Sequence, residues 1–251
     1  MSGPGWSQFL ADYHAAHPGI TEDLLTPMRG PGGRGPYAWL VEGLPAAGRV
    51  WDVACGSAPV ATEVGLARYA GVDSSAAELA EARRRRPGVR VELGDGLRAR
   101  PVGTPAAVTV AMALMLLPLE VFLAHLATFV PPGASLAAIV PTREGTGGTD
   151  YGRLLSLLAQ EGVGYRAPLP VVGLAGRFGA AGFELLVDEV ATFSRPVRGD
   201  VEIDLVVASF YAQGAGAAER RAARAWLRQR SADPAYALHY PLRRLRARRL
   251  T

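Results

Sequence analysis

The residues best placed to do chemistry are three carboxylates that each follow an apolar segment. VWDVACGSAPV, from Val50 to Val60, leads into Asp52, the lone Cys55 and a turn through Gly56, where a missing side chain lets the backbone pass close to a ligand. YAGVDSS ends the next apolar segment in Asp73, and ELGDG ends the third in Asp95. A glycine turn between a buried strand and a helix needs no ligand, so Gly56 by itself is equally a corner. An acid about twenty residues beyond such a turn, however, has the spacing that accepts hydrogen bonds from both hydroxyls of a ribose. Three successive acids along one rim describe a site for a neutral or cationic nucleoside and argue against a phosphate-rich one.

Elements that could hold these acids follow from the apolar pattern. Strands are expected at Arg49 to Ala54, Tyr69 to Val72, Val89 to Leu93, Ala107 to Met112 and Ser135 to Val140, with helices at Val60 to Ala67, Ala76 to Arg86 and Leu119 to Phe129. The strands are continuous apolar runs, as when helices cover both faces of a sheet. Such alternation predicts an open parallel α/β sheet whose ligand lies beyond the carboxyl ends of the strands at the switch point. Residues 1–47 read as an N-terminal helical cap and hinge: Trp6, Phe9, Leu10 and Tyr13 recur at helical spacing, RGPGGRGP is hinge-like, and a helix starts near Pro36. Residues 48–251 form the main domain, with an irregular insertion around 142–175. After it come a short helix, the turn Ala181-Gly182, a strand from Phe183 to Phe193, a segment from Asp200 to Tyr211 that is ambiguous between helix and strand, and a basic helix from Ala217 to Arg230. The arginine-rich ending LRRLRARR reads as an edge strand, where charge is tolerated.

Composition narrows the function classes. The 251 residues are 49% apolar and 20% charged, which specifies a folded protein with a sizeable core. A net charge of +4 is modest, and its clusters at Arg83 to Arg86 and Arg243 to Arg249 lack the aromatic platforms that single strands need, so no specific nucleic-acid partner is expected. One cysteine excludes an internal disulfide framework and a cysteine-based zinc cluster. No secretory leader and no clean membrane span is legible, so a cytoplasmic protein is expected.

DVACGSA, through Asp52, Ala54, Gly56 and Ala58, resembles the first motif of the class I S-adenosylmethionine-dependent methyltransferases, with alanine in place of two usual glycines. ATFVPPGASLAAIVP and AAGFELL are similar to that family's elements before the fifth and sixth strands, and the likeness, to the small-molecule branch, covers most of Gly48 to Phe193. The resemblance implies a Rossmann-like open seven-stranded α/β sheet, mostly parallel with a reversed final strand, which favours inserting LRRLRARR into the sheet. It implies S-adenosylmethionine as cofactor, S-adenosylhomocysteine as product and no metal. Ala54, Cys55 and Gly56 would lie near the methionine portion, with its ammonium held near Asp52. Asp73 and Ser74 would hold the ribose, Asp95, Gly96 and Leu97 the adenine, and Met112, at the end of the fourth strand, would also meet the cofactor. Two departures stand out: the crossover from Gly56 to Asp73 is short, and AMALMLLP lacks the acid or amide followed by prolines and an aromatic that marks amino-methylating nucleic-acid enzymes.

Acceptor-side candidates follow from residue type. His14 could take a proton from a hydroxyl or phenol. Tyr13, His17, Tyr37, Met112, Met115, Tyr151 and Tyr211 could line an apolar pocket, and Arg143 could meet an acidic group. The expected activity is methylation of a small apolar or aromatic metabolite on oxygen, nitrogen or carbon, in a specialised metabolic setting, with neither membrane nor nucleic acid as partner and a homodimer allowed. The alternative is a cofactor-binding protein of this fold that acts as a cyclase or a binding module. A nicotinamide oxidoreductase fits poorly, because the three-glycine fingerprint is missing and Asp52 would oppose a pyrophosphate.

Overall fold

The structure, a computed structural model, describes residues 4–142, 150–158 and 173–250. Its first part is helical: α1 (Pro4–Ala16), α2 (Ile20–Leu25) and α3 (Pro36–Val41), with a 3₁₀ turn at Pro31–Gly33 between the last two. Gly19, in a left-handed conformation (φ 79°), separates α1 from α2, and Pro36 opens α3 at a position that needs no amide donor. Strand and helix then alternate as β1 (Arg49–Val53), α4 (Val60–Val64), β2 (Tyr69–Asp73), α5 (Ala76–Arg85), β3 (Val91–Leu93), β4 (Pro105–Ala111), α6 (Leu119–Ala127) and β5 (Ser135–Pro141). The short crossover read from the sequence is real: α4 has five residues and stops at Gly65, whose φ of 85° is outside the helical region.

Beyond β5 come α7 (Asp150–Leu158), α8 (Leu174–Ala180), β6 (Phe183–Pro196), α9 (Gly199–Ala208), α10 (Ala217–Ser231) and β7 (Ala237–Arg249). The ambiguous segment after Asp200 is thus a helix. Most of the expected insertion around 142–175, Arg143 included, lies outside the described residues.

The strands form a seven-stranded sheet in the order β3-β2-β1-β4-β5-β7-β6. β1 to β5 are mutually parallel, and β7 runs antiparallel to both β5 and β6. The reading of the arginine-rich ending as an edge strand is therefore corrected: β7 lies inside the sheet, and β6 is the edge. Alternation explains how so basic a strand can be interior. Leu238, Tyr240 and Leu242 join the core on one face, and Leu245 and Ala247 join the core on the other. The intervening arginines lay their stems over the sheet and send their heads to partners. Arg244 crosses the Trp39 ring at 4.7 Å and donates to the Trp39 carbonyl, Arg246 donates to the Gly43 carbonyl, and Arg243 makes a bidentate pair with Asp188 on β6 (2.6 and 2.7 Å).

The two cores lie on opposite sheet faces. One joins Leu24, Leu25 and Met28, Trp39 and Leu40 to residues of α4, α5, α7, α9 and α10, and the other is built mainly from α6, α8 and the facing strand residues. The N-terminal helices therefore share a core with the sheet. No helix among the described residues is long and apolar enough to cross a membrane.

Candidate functional site

The order of strands reverses between β1 and β4, and a cavity of about 640 Å³ opens there. This is where an open α/β sheet binds its ligand, and the volume is within the roughly 300–1,000 Å³ usual for small-molecule sites. Its floor is the turn after β1, from Ala54 to Ser57, with Met112 at the end of β4 beside it. Asp73 and the first turn of α5 form one wall, and Leu10 and His14 of α1 with Tyr211 form another.

The floor is held in an uncommon backbone conformation. Ala54, Gly56 and Ala58 all have positive φ (53°, 53° and 64°), and so does Met112 (60°). Left-handed geometry costs a residue with a β-carbon about 1–2 kcal/mol, and such strain gathers at functional sites. The alternating small residues of DVACGSA therefore fill three alternate left-handed positions, two of them occupied at a cost by alanine.

Asp73 ties this turn to β2. Its Oδ2 accepts from the Gly56 amide (2.8 Å) and its Oδ1 from the Ser75 amide (2.8 Å). Burial pushes its carboxyl up, and these two amides pull the other way. A carboxylate has about four acceptor positions, so Asp73 retains capacity for the hydroxyls of a ligand. Ser74 and Cys55 also line the cavity, and burial pushes the Cys55 thiol well up, which disfavours the reactive thiolate.

Of the three acids expected along one rim, the structure brings only Asp73 to the cavity. Asp52 is fully buried within β1, accepting from the Tyr69 hydroxyl (2.9 Å) and the Thr109 hydroxyl (2.7 Å), and it does not line the cavity. Register is the cause: Asp52 stands opposite Thr109 on β4 and diagonal to Tyr69 on β2, on a face filled by those side chains. Asp95 points to solvent, with a side chain 53% exposed, and accepts from the Leu97 amide. Gly96 sits where a β-carbon would come within 2.5 Å of Val53, and neither it nor Leu97 lines the cavity.

Among the acceptor-side candidates, His14, Tyr37, Met112 and Tyr211 line the cavity. Tyr13 is packed behind Tyr211, its ring 4.8 Å away and its hydroxyl on the Ala208 carbonyl. His17 is exposed and rests on the Tyr13 ring; Met115 is in the core on the far face of the sheet; Tyr151 is buried against Phe210 and Tyr240. The structure does not bring these four to the cavity.

Two lining acids went unread in the sequence. Glu22 of α2 accepts from the Ser57 hydroxyl (2.7 Å) and from Arg86 (2.5 and 3.1 Å), tying the cap to the floor turn. Glu78 of α5 is 2% exposed; its Oε1 is 2.9 Å from His14 Nδ1, and its Oε2 accepts from the Gly19 amide (2.9 Å). Ser75-Ala76-Ala77-Glu78 has the spacing of a capping box, in which the glutamate would turn back to the Ser75 amide. Asp73 already accepts from that amide, which leaves Glu78 free to meet the cap.

No protein-family model matches the chain, and no curated protein does. Solved structures do. The [4+2]-cyclase SpnF is 15% identical, with 96% of this chain and 95% of that one aligned and a TM-score of 0.61. Phosphoethanolamine N-methyltransferase 2 of Haemonchus contortus, in complex with phosphomonomethylethanolamine and S-adenosylhomocysteine, is 13% identical over 98% of this chain and 60% of that one, with a TM-score of 0.58. An inferred methyltransferase of Bacillus halodurans is 16% identical over 86% of this chain and 99% of that one, with a TM-score of 0.56. With this sheet order, the reversed β7 and these structural likenesses, the chain has the fold of the class I S-adenosylmethionine-dependent methyltransferases.

Proposed function

We propose that the chain binds S-adenosylmethionine in the switch-point cavity and directs its methyl group to a small apolar or aromatic metabolite. The observation that carries this reading is the charge of the cavity. Its described lining includes the carboxyl side chains of Glu22, Asp73 and Glu78 and no lysine or arginine. Even with Glu22 paired to Arg86, this acidic and otherwise largely apolar lining favours a cationic nucleoside over a pyrophosphate, because like charges brought together cost free energy. The fit extends to hydrogen bonding, since Asp73 lines the cavity with acceptor capacity to spare for ribose hydroxyls.

When bound, S-adenosylmethionine supplies an electrophilic methyl group on a sulfonium. What the chain contributes is position and dryness: Ala54 and Gly56 shape the floor, Asp73 fixes the nucleoside, and Leu10, Tyr37, Leu116 and Leu117 exclude water and receive an apolar acceptor. Nucleic acid is a poor acceptor for this surface. Arg85 pairs with Glu81 and Asp23, Arg86 with Glu22, Arg243 with Asp188, Arg244 with Glu42 and Glu189, and Arg248 with Glu184, so much of each basic cluster is spent internally. A cytoplasmic enzyme of specialised metabolism is the setting we propose.

A second reading, a cyclase that keeps the cofactor in place, is favoured by the near-complete alignment with the [4+2]-cyclase SpnF. Calorimetry tests what the two readings share. S-adenosylmethionine or S-adenosylhomocysteine should bind without added metal, and Asp73→Asn and Asp73→Ala should each weaken binding by about 1–3 kcal/mol. Failure of the wild-type protein to bind either molecule would sink both readings. Metabolite profiling of a deletion strain separates them: a precursor one methyl group lighter than the missing product supports methylation, and an isomer of equal mass supports cyclisation.

A further inference from the structure

His14 stands between two side chains from distant parts of the chain. Its Nδ1 is 2.9 Å from Glu78 Oε1, and its Nε2 is 3.3 Å from the Tyr211 hydroxyl. Both ring edges are committed while the imidazole lines the cavity with a side chain 22% exposed. The Glu78 side chain, 3% exposed, is held from the other side by the Gly19 amide, so it cannot swing away without leaving that donor buried and unmet.

The chemistry of this arrangement is directional. A carboxylate in its ionised form only accepts hydrogen bonds, so in that form of the contact Nδ1 carries the proton. Nε2 of the neutral ring is then the atom with the lone pair, and the Tyr211 hydroxyl is its donor. A carboxylate behind a histidine also stabilises the imidazolium that forms when the ring takes a proton, as in other carboxylate-histidine pairs.

We propose that Glu78 is a positioning residue that holds His14 with Nε2 as a proton acceptor, and that the substrate is accordingly a phenol or alcohol. This rests on the cavity being the S-adenosylmethionine site. The hydroxyl of the substrate takes the place of the Tyr211 hydroxyl at Nε2. The O–H bond breaks with its electron pair remaining on oxygen, and the proton bonds to the Nε2 lone pair, giving an imidazolium paired with Glu78. The oxygen is thereby made the nucleophile. A neutral aromatic amine already carries a free lone pair at pH 7 and gains little from such a device.

Two-bond ¹⁵N–¹H correlation spectra of histidine-labelled protein at pH 7.5, with and without S-adenosylhomocysteine, read the tautomer directly. Expected is a protonated Nδ1 and a bare Nε2 at His14, unchanged in Tyr211→Phe and redistributed in Glu78→Gln, whose amide can donate or accept. A bare Nδ1, or protons on both nitrogens, overturns the proposal. Calorimetry with S-adenosylhomocysteine on the same samples tests the cofactor reading separately, since its failure would leave the tautomer result intact. With 1-naphthol and 1-naphthylamine as matched acceptors, His14→Ala should reduce naphthol methylation about 100-fold or more and Glu78→Gln about 10-fold or more, with smaller losses for the amine. Equal losses for both acceptors, or no naphthol turnover by a protein that binds S-adenosylhomocysteine, would also overturn it.

Discussion

Burial pushes the Asp52 carboxyl up to about 7, against hydrogen bonds from Thr109 and Tyr69 that pull it down. Burial shifts Asp73 upward as well. Because the folded-state value lies above that of the unfolded chain, about 3.9, the folded protein binds more protons than the unfolded one between roughly pH 4 and pH 7. The contribution of Asp52 to stability is complete below pH 4 and is lost as pH rises through about 7. Urea denaturation at intervals from pH 4.5 to 8 should show this decline, and Asp52→Asn should flatten it; identical slopes in the two proteins would show that Asp52 does not titrate in this range. The floor turn invites a second measurement. Ala54 is half-buried at φ 53°, so Ala54→Gly should raise stability by about 0.5–1 kcal/mol through relief of left-handed strain, without weakening S-adenosylhomocysteine binding. A loss of more than about 1 kcal/mol would mean that its methyl packing outweighs the strain.

Two ion-paired clusters fasten one element to another. Glu22 joins α2 to the floor turn through Ser57 and to the end of α5 through Arg86. Removing it leaves a half-buried guanidinium without its carboxylate, so Glu22→Ala should cost about 2–3 kcal/mol and weaken S-adenosylhomocysteine binding as the turn loosens. Glu22→Gln should recover part of both, because its amide oxygen can still accept from Ser57. Equal affinity in wild type and Glu22→Ala would show that the turn holds its shape without the cap. On the other side of the sheet, the pair between Arg243 and Asp188 clamps interior β7 to edge β6, and the arginine is 5% exposed. Asp188→Ala should destabilise the protein, because it takes a bidentate carboxylate from a buried guanidinium, and Arg243→Leu should cost less in the Asp188→Ala background than in wild type. Denaturation of the single and double variants gives the coupling; additivity would show the two residues to be independent.

At the scale of the molecule, the N-terminal helices are both wall and foundation. Leu24, Leu25 and Met28 are at most 2% exposed and share a core with the sheet, while α1 reaches the cavity through Leu10 and His14. Deleting residues 1–28 should therefore unfold the protein, and deleting 1–17 should leave a folded protein that binds S-adenosylhomocysteine with little turnover. Hydrogen exchange should slow across Phe9 to His17 when cofactor and acceptor are both bound, since α1 meets α5 through His14 and Glu78. Full turnover by the shorter deletion, or unchanged exchange across α1, would remove this segment from the acceptor site.

The amino-acid pattern alone determined the alternation of β1 to β5 with their helices, the turn at Gly56 and the acid at Asp73, because apolar period and glycine placement are local properties that survive most tertiary contexts. Resemblance supplied the reversed strand that charge alone had argued onto an edge. Only the tertiary structure decided which acids face the cavity. Asp52 and Asp95 follow apolar runs just as Asp73 does, yet one is turned inward by its register against Thr109 and Tyr69, and the other lies out in solvent beyond the short β3. Glu22 and Glu78 became cavity residues through contacts 35 and 64 positions away in the chain, at Ser57 and His14. Such contacts leave no period and no spacing in the sequence, because what brings them together is the packing of the N-terminal helices onto the sheet.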